Sequence, residues 1–412
     1  MIKRNVDIAI IGGGPAGLAA AIAAKKEGID DLLIIERNEF LGGILNQCIH
    51  EGFGLEIFNE ALTGPEYVQR FIDEVHLLRI PVMLESMVLD LNSHRELIIS
   101  NKDGLYQIKA KAIVLAMGCR ERTRGMIRIP GDRPSGIFKA GEAQHFINIE
   151  NYMVGRKVVI LGSGDIGLIM ARRLVLEGAQ VLAVVEIMPY CGGLLRNRVQ
   201  CLEDFGIPLL LKHTVVDIEG KERLRSVTIA ELDDKGEIIE VTEEKIECDT
   251  LLLSVGLIPE NELSKKAEIM MDKATGGAVV DENFMTSCPG IFACGNVLLV
   301  HDIVDYVTMD AFKVGKSAAH YAKNILKEKP RINIKPGQGV RFVVPQTIAL
   351  EDVDVYIRVK EPARDKEIIF RDGVKVLKKV TKKVITPSEM IKVKLKEDEI
   401  WDTKEICVMM EG

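Results

Sequence analysis

One pattern occurs twice in this chain, and it restricts the fold more than any other feature. Residues 8 to 45 run through a short apolar stretch (Ile8–Ile11), a glycine turn (Gly12, Gly14, Gly17), an Ala-rich helical segment, a second apolar stretch (Leu32–Ile35) and an acid, Glu36. Residues 158 to 195 repeat that order at an offset of 150. Gly162, Gly164 and Gly167 match the three glycines, Gly178 matches Gly28, Glu186 matches Glu36, and Gly192-Gly193 match Gly42-Gly43. Strand, glycine turn, helix, strand and acid in this order are the dinucleotide-binding βαβ fingerprint. The first glycine permits the tight turn, the second lets the backbone approach a pyrophosphate, and the third lets the helix pack on the strand. The pyrophosphate sits on the leading N–H groups of the helix, where the aligned peptide dipoles favour anions. The acid accepts hydrogen bonds from an adenosine ribose. Two such units predict an α/β chain with two Rossmann-like, three-layer domains.

Each repeat also has a later apolar strand ending in glycine, Ala112–Gly118 and Thr250–Gly256, which places a second backbone segment beside each nucleotide. A further strand, Gly290–Val297, follows the second repeat and leads into a helix expected over roughly Thr308 to Glu328. Its position after the second repeat predicts that the first domain is discontinuous. The expected boundaries are 1–122 with 277–330 for the first domain, 153–260 for the second, inserted domain, and connectors at 123–152 and 261–276. The first connector is rich in Arg, Gly and Pro and carries a short helix near Ala140 to Ile149. From about Arg331 the pattern changes. Residues 353–360, VDVYIRVK, alternate in strand periodicity, and Phe370–Val374 reads as a hairpin with an Asp-Gly turn. Residues 331–412 are therefore expected to form a small all-β domain.

Composition narrows the function. A net charge of −7 over 412 residues provides no basic footprint for nucleic acid. The apolar stretch Ile8–Ala24 is interrupted by the Gly-Gly-Gly-Pro turn, so it reads as a nucleotide loop rather than a leader or membrane span. No other stretch is long and apolar enough to span a bilayer, and a cytoplasmic location is expected. The eight cysteines include no C-x-x-C pair, and no His/Cys/carboxylate spacing suggests a metal site.

GGGPAG with Glu36, LAMG at 115–118, GSGDIG with Glu186, SVGLIPE at 254–260 and TSCPGIFACGNV at 286–297 together carry a resemblance. Over residues 5 to 328 the chain resembles the two-dinucleotide-binding-domain flavoproteins, the thioredoxin reductase and glutathione reductase superfamily. That resemblance implies FAD in the first domain and NAD(P)H in the second. For FAD it points to Gly12, Gly14, Pro15, Ala16, Gly17, Glu36 and Arg37 in the first loop, and Gly43, Asn46 and Gln47 after it. Val88, Ala116, Met117, Gly118, Gly295, Asn296, Val307 and Thr308 complete that set. For the pyridine nucleotide it points to Gly162, Gly164, Asp165, Ile166, Gly167, Glu186 and Gly256. The segments LGGILNQCIHEGFGL (41–55) and LTGPEY (62–67) are similar to a narrower group. Its members are the NAD/FAD oxidoreductase subunits that accompany anaerobic-type glycerol-3-phosphate dehydrogenases, and the alpha subunits of sarcosine oxidase and amino-acid dehydrogenases.

Two departures matter. Asn296 stands where the superfamily usually has an Asp that binds the ribitol chain of FAD. The disulfide reductases also carry a Cys pair, whereas here Leu45 and Asn46 precede a single Cys48, and Asp165-Ile166 supplies none. The expected chemistry is hydride transfer between a nicotinamide and flavin N5, with the helix beginning near Val307-Thr308 aimed at the flavin N1/C2=O edge. NAD(H) is favoured over NADP(H), because Glu186 repels a 2′-phosphate and Ile187-Met188-Pro189 bring no Arg to receive one. Cys48 reads either as a redox thiolate or as a small apolar filler. His50 and His301 read either as proton shuttles or as structural residues, and Asn46 and Gln47 as partners of the flavin edge.

The function expected from this is an electron-transfer subunit of a larger dehydrogenase. It would work with a partner flavoprotein that oxidises glycerol 3-phosphate or an amino acid or amine, and with an iron–sulfur or small Cys-containing subunit. Two alternatives stand beside it: a self-contained NADH oxidase or peroxide or disulfide reductase using Cys48, and a structural FAD-binding subunit with an empty second site. Self-association of the chain is left open.

Overall fold

Strand Ile2–Ile11 lies at the centre of a parallel sheet, with Ile8 opposite Leu32 on one side and opposite Ala112 on the other. Val6 and Ile8–Ile11 are buried, as a strand covered on both faces requires, and this is why the segment reads as unbroken apolar sequence. In this computed structural model, which describes residues 1–327 and 329–411, the sheet runs Val82–Met83, Leu32–Ile35, Ile2–Ile11, Gly104–Leu115. Strand Ile291–Ala293 joins the end of Gly104–Leu115 in parallel, and Glu96–Asn101 and Met87–Leu91 continue it as an antiparallel flap. Replacing a fully buried side chain here, such as Ile10→Ala, would cost about 2–5 kcal/mol.

Helix Pro15–Lys26 covers one face of this sheet and packs against helix Val304–Ala322 through small residues. A Cβ on Gly315 would stand 2.1 Å from Ala20 O, so that crossing tolerates only glycine. Helix Gly64–Leu77 opens on a reciprocal capping box, Thr63 with Glu66, and buries Tyr67, Val68, Phe71 and Val75 on one stripe.

The chain divides into two compact units, Met1–Cys119 with Pro259–Gly412, and Arg120–Ile258. The second unit has its own parallel sheet in the order Ile137–Lys139, Thr250–Leu253, Lys157–Leu161, Gln180–Glu186, Leu209–Leu211. Helix Asp165–Leu176 starts and ends 150 positions after Pro15–Lys26. An antiparallel trio, His213–Gly220, Leu224–Glu231 and Glu244–Glu247, covers the sheet through Val215, Ile218 and Val227. The expected architecture of two Rossmann-like sheets, one inserted in the other's sequence, followed by a small β region, is what the chain adopts.

The C-terminal region forms two sheets. One runs Thr347–Ala349, Arg331–Pro336, Glu405–Glu411, Ala363–Asp372, Lys375–Ile385, and the other Val340–Val344, Val353–Val359, Ile391–Leu395. Their facing side chains, among them Val355, Ile357, Ile368, Phe370 and Ile406, make a separate apolar core. Phe342, Val344 and Tyr356 instead join the core of the first sheet.

Three expectations change in detail. Residues 123–152 do more than connect, because Ile137–Lys139 pairs with Thr250–Leu253 as an edge strand and helix Ala140–Asn148 follows it. The last helix of the first fold begins at Val304 rather than near Thr308 and ends at Ala322, beyond which Asn324 takes a left-handed conformation (φ 57°); Glu328 lies outside the described residues. The hairpin turn is Gly373-Val374, one residue later than Asp-Gly, with Asp372 still paired to Lys375. Among the described residues no helix is long and apolar enough to cross a membrane.

Candidate functional site: two dinucleotide cradles

The first cradle is built where Ile2–Ile11 gives way to its helix. Gly12 has φ +108°, and a Cβ there would stand 2.4 Å from Ala116 O. A Cβ on Gly17 would stand 1.8 Å from Gly12 O. Gly14 occupies the N-cap and Pro15 the first helical position, where the missing N–H costs nothing. Glu36 is buried and accepts from Gly13 N–H (2.7 Å) and Asn38 N–H (2.8 Å), which fixes the carboxylate against the loop. Arg37 beside it is exposed.

The remaining candidates close around that helix start to different degrees. Gly42 N–H donates to Gly13 O (2.8 Å), and a Cβ on Gly43 would lie 3.1 Å from Gly14 Cα. Ala116 N–H donates to Ile11 O (2.9 Å), and Met117 and Gly118 (φ +71°) follow directly. From the far side comes Gly295, where an added Cβ would meet Ala16 Cβ at 2.9 Å and Val307 Cγ1 at 3.3 Å. Val88 is buried on the antiparallel flap, two residues beyond Ser86, whose N–H donates to Glu36 O (2.9 Å). Asn46 donates to Leu41 O (2.9 Å), and Gln47 is buried on the same short turn.

Thr308 turns inward. It is fully buried and hydrogen-bonds Tyr67 Oη at 2.7 Å. Asp305, in the first turn of helix Val304–Ala322, accepts the N–H groups of Gly54 and Ile57 (3.1 Å each). Cys48 donates its thiol to Ile44 O (3.3 Å), and burial pushes that thiol up to about 12, so it is not a thiolate at neutral pH. The His50 ring packs on Phe53 at 4.9 Å. His301 is engaged by protein at both ring nitrogens, Leu299 O at 2.7 Å and Asp310 Oδ2 at 3.1 Å.

The second cradle repeats the first. Gly162 has φ +95°, and a Cβ there would stand 2.1 Å from Ser254 O; Gly164 is again the N-cap. Glu186 is buried and accepts from Ser163 N–H (2.8 Å), Ser163 Oγ–H (2.6 Å) and Met188 N–H (2.9 Å). Gly192 N–H donates to Ser163 Oγ (2.7 Å). Asp165 begins the helix and accepts from Leu194 N–H (2.8 Å) and Asn197 Nδ2 (2.6 Å). Ile166 follows it half-buried, Gly167 donates its N–H to Ser254 Oγ (3.1 Å), and Gly256 has φ +99°. Ser163 and Ser254 were not foreseen. Aligning LLLSVG with VLAMG would have shown Ser254 opposite Ala116.

Known proteins place this geometry. Residues 6–322 match the pyridine nucleotide-disulphide oxidoreductase family. The chain belongs to that family, whose members are FAD- and NAD(P)-dependent oxidoreductases. It is 27% identical over 282 residues to hydrogen cyanide synthase subunit HcnB of Pseudomonas protegens, covering 62% of this chain and 58% of that protein. It is 27% identical over 301 residues to an alkyl hydroperoxide reductase subunit of Pseudomonas aeruginosa (71% and 54%), and 27% identical over 326 residues to the mitochondrial dihydrolipoyl dehydrogenase of Caenorhabditis elegans (72% and 64%). The chain thus spans between about half and two-thirds of the length of these curated relatives. Among solved structures, the thioredoxin reductase of T. acidophilum superposes with a TM-score of 0.64 at 23% identity, covering 78% of this chain and 99% of that one. The NAD-dependent persulfide reductase of A. fulgidus superposes with a TM-score of 0.59 at 19% identity (89% and 67%). These likenesses show a thioredoxin reductase-like fold.

Proposed function

We propose that this chain is an NAD(H)-linked FAD oxidoreductase that serves as the electron-transfer subunit of a multi-subunit dehydrogenase. The residues fit FAD at the first cradle: Gly12, Gly17 and Gly295 leave no room for a Cβ, and Pro15 and Ala16 leave the helix start free of polar side chains. Bound there, FAD supplies two-electron chemistry at its flavin ring. The chain's own part is to orient the dinucleotide on Glu36 and on the Gly13–Gly17 backbone, and to hold Gly43 and Gly295 against it. At the second cradle Glu186 is fixed by three donors, and the following Ile187-Met188-Pro189 offers no cation to a 2′-phosphate, which supports NAD(H) over NADP(H).

One observation supports the subunit reading: two glycine-lined helix starts of like build occur together with Cys48, whose thiol is hydrogen-bonded and raised to about 12. Disulfide or peroxide chemistry at Cys48 would call for a reactive, low-pKa thiolate, which burial opposes here. Two relatives are themselves named as subunits, of hydrogen cyanide synthase and of alkyl hydroperoxide reductase, and this supports an assembly. The partner would be a flavoprotein that oxidises glycerol 3-phosphate or an amino acid or amine, joined by an iron–sulfur or small Cys-containing subunit. The self-contained reductase remains the second reading, favoured by relatives named alkyl hydroperoxide reductase and NAD(P)H sulfur oxidoreductase.

Cys48→Ser separates the two. The subunit reading expects NADH–dye reduction within about twofold of the unmodified chain, since the Ser hydroxyl keeps the hydrogen bond to Ile44 O and loses only a weak donor. Loss of peroxide or disulfide turnover with dye reduction intact would establish the second reading. Affinity purification from the native cell tests the partners directly, since the proposal expects a second flavoprotein and iron in the eluate.

A further inference from the structure

Five arginines fall within residues 120–133 of a chain whose net charge is −7, and none belongs to either glycine turn. Three of them, Arg124, Arg128 and Arg133, line a cavity of about 640 Å³ that lies wholly within the second unit. That volume falls in the range that small organic ligands occupy. Ile129, Ile137 and Leu253 give the cavity an apolar side. Lys139 and Glu142 also line it and face each other at 3.9 Å, so the excess charge belongs to the arginines. Arg128 and Arg133 are exposed, and among the described residues neither has an ion pair.

Arg124 builds the wall between them. Its guanidinium donates to Ile129 O (3.2 Å), Pro130 O (3.1 Å) and Gly131 O (3.2 Å), and also to Asp132 O. Four successive carbonyl dipoles are thus turned onto one cation rather than left to oppose an anion. Strand His213–Gly220 pins the loop from behind. Asp132 N–H donates to Ile218 O (2.7 Å), Gly220 N–H donates to Asp132 Oδ2 (3.0 Å), and a Cβ on Gly131 would stand 2.3 Å from Ile218 O. The loop is therefore fixed before any ligand arrives, which lowers the cost of binding one. Burial and the neighbouring Arg133 push the Arg124 guanidinium below its ordinary value, while Asp217 and Asp132 act the other way. Like charges stand side by side here, and an anion against them would relieve their repulsion.

Arg128 adds a conformational clue. It has φ +54° and ends helix Arg124–Ile127 in the left-handed region, where glycine or asparagine fits most easily. An exposed arginine in that conformation does nothing for the fold that glycine would not do with less strain.

We propose that this cavity is a binding site for a small organic phosphate, with the phosphate held by Arg128 and Arg133 and an apolar body lying against Ile137 and Leu253. Guanidinium forks match phosphate oxygens in pairs. Four lining cations against one acid suit a doubly charged phosphate monoester better than a single carboxylate. The site is separate from the second cradle and independent of the electron-transfer reading.

Calorimetric titration of the full chain with phenyl phosphate, with FAD and NAD+ supplied in excess, tests this. One equivalent should bind, and inorganic phosphate and benzoate should each bind at least about tenfold more weakly. Arg128→Gln and Arg133→Gln should each weaken phenyl phosphate about tenfold, the loss expected of a charge-assisted hydrogen bond. Lys235→Gln, which removes an exposed cation in a turn of the same unit, should leave binding unchanged. Arg128→Gly should lose binding as Arg128→Gln does and unfold at no lower a temperature than the unmodified chain, a result that a structural role for the side chain would not give. No binding to the unmodified chain, or an equal loss in Lys235→Gln, would reduce the arginines to surface charge and overturn the site. Inorganic phosphate or benzoate binding as tightly as phenyl phosphate would overturn the ligand class. Binding seen without NAD+ and abolished by it would move the phosphate into the cradle and overturn the separate site.

Discussion

At the first cradle the helix opens Pro15-Ala16-Gly17 over Ala116, and among the described residues no side chain caps its leading N–H groups. At the second, Ser254 takes the Gly167 N–H, and the Asp165 carboxylate stands at the first helical position, braced by Leu194 and Asn197. The backbone plan is the same 150 positions apart, and the finishing differs. A bare helix start leaves both its dipole and its orphan donors to the ligand. A helix start that has satisfied one donor and already carries a negative charge offers a pyrophosphate less. The difference fits a dinucleotide that stays at the first site and one that comes and goes at the second.

The largest effect should separate the two cradles at their third glycines. In Gly17→Ala the new Cβ meets backbone, Gly12 O at 1.8 Å, whereas in Gly167→Ala the nearest atom is the side-chain Cβ of Ser254 at 2.6 Å. Overpacking of this kind costs about 1–3 kcal/mol. Gly17→Ala should emerge with its flavin content reduced at least about tenfold, and Gly167→Ala should keep its flavin and raise the KM for NADH. Equal flavin content in both would erase the comparison.

A smaller effect is expected from Asp165→Asn. Removing a charge from a helix N-terminus changes the local interaction by about 0.3–1 kcal/mol. With the repulsion of the pyrophosphate gone, the KM for NADH should fall about two- to fivefold at low salt, converge at high salt, and leave the flavin untouched. A rise in KM would show that Asp165 serves the nucleotide rather than the loop. The smallest effect belongs to Ser254→Ala, which should lower the unfolding free energy of the second unit by about 0.5–1.5 kcal/mol. Saturating NADH should shrink that loss in thermal unfolding, because the freed Gly167 N–H then finds a partner.

The backbone of both cradles was legible in the chain itself. Gly12 and Gly162, Gly17 and Gly167, and Glu36 and Glu186 announce their conformations through residue type and spacing. What was not legible depends on partners far away in sequence. Asp305, in a first helical turn, accepts the N–H groups of Gly54 and Ile57 about 250 residues earlier, and Asp310 accepts the hydroxyl of Tyr356 from the C-terminal region. The edge strand Ile137–Lys139 is three residues long, too short to show alternation, so it passed for a connector. His301 offered ring chemistry on paper and proved to be occupied by Leu299 O and Asp310.

The central claim is that one chain holds a flavin and a pyridine nucleotide in matched cradles and lets electrons pass between them. Anaerobic titration of the FAD-loaded chain with NADH measures this directly. Bleaching of the visible flavin absorbance with one equivalent of NADH, weakened by Gly167→Ala, is the predicted result. A chain that stays colourless when FAD is supplied, or a flavin that NADH leaves oxidised, would contradict it.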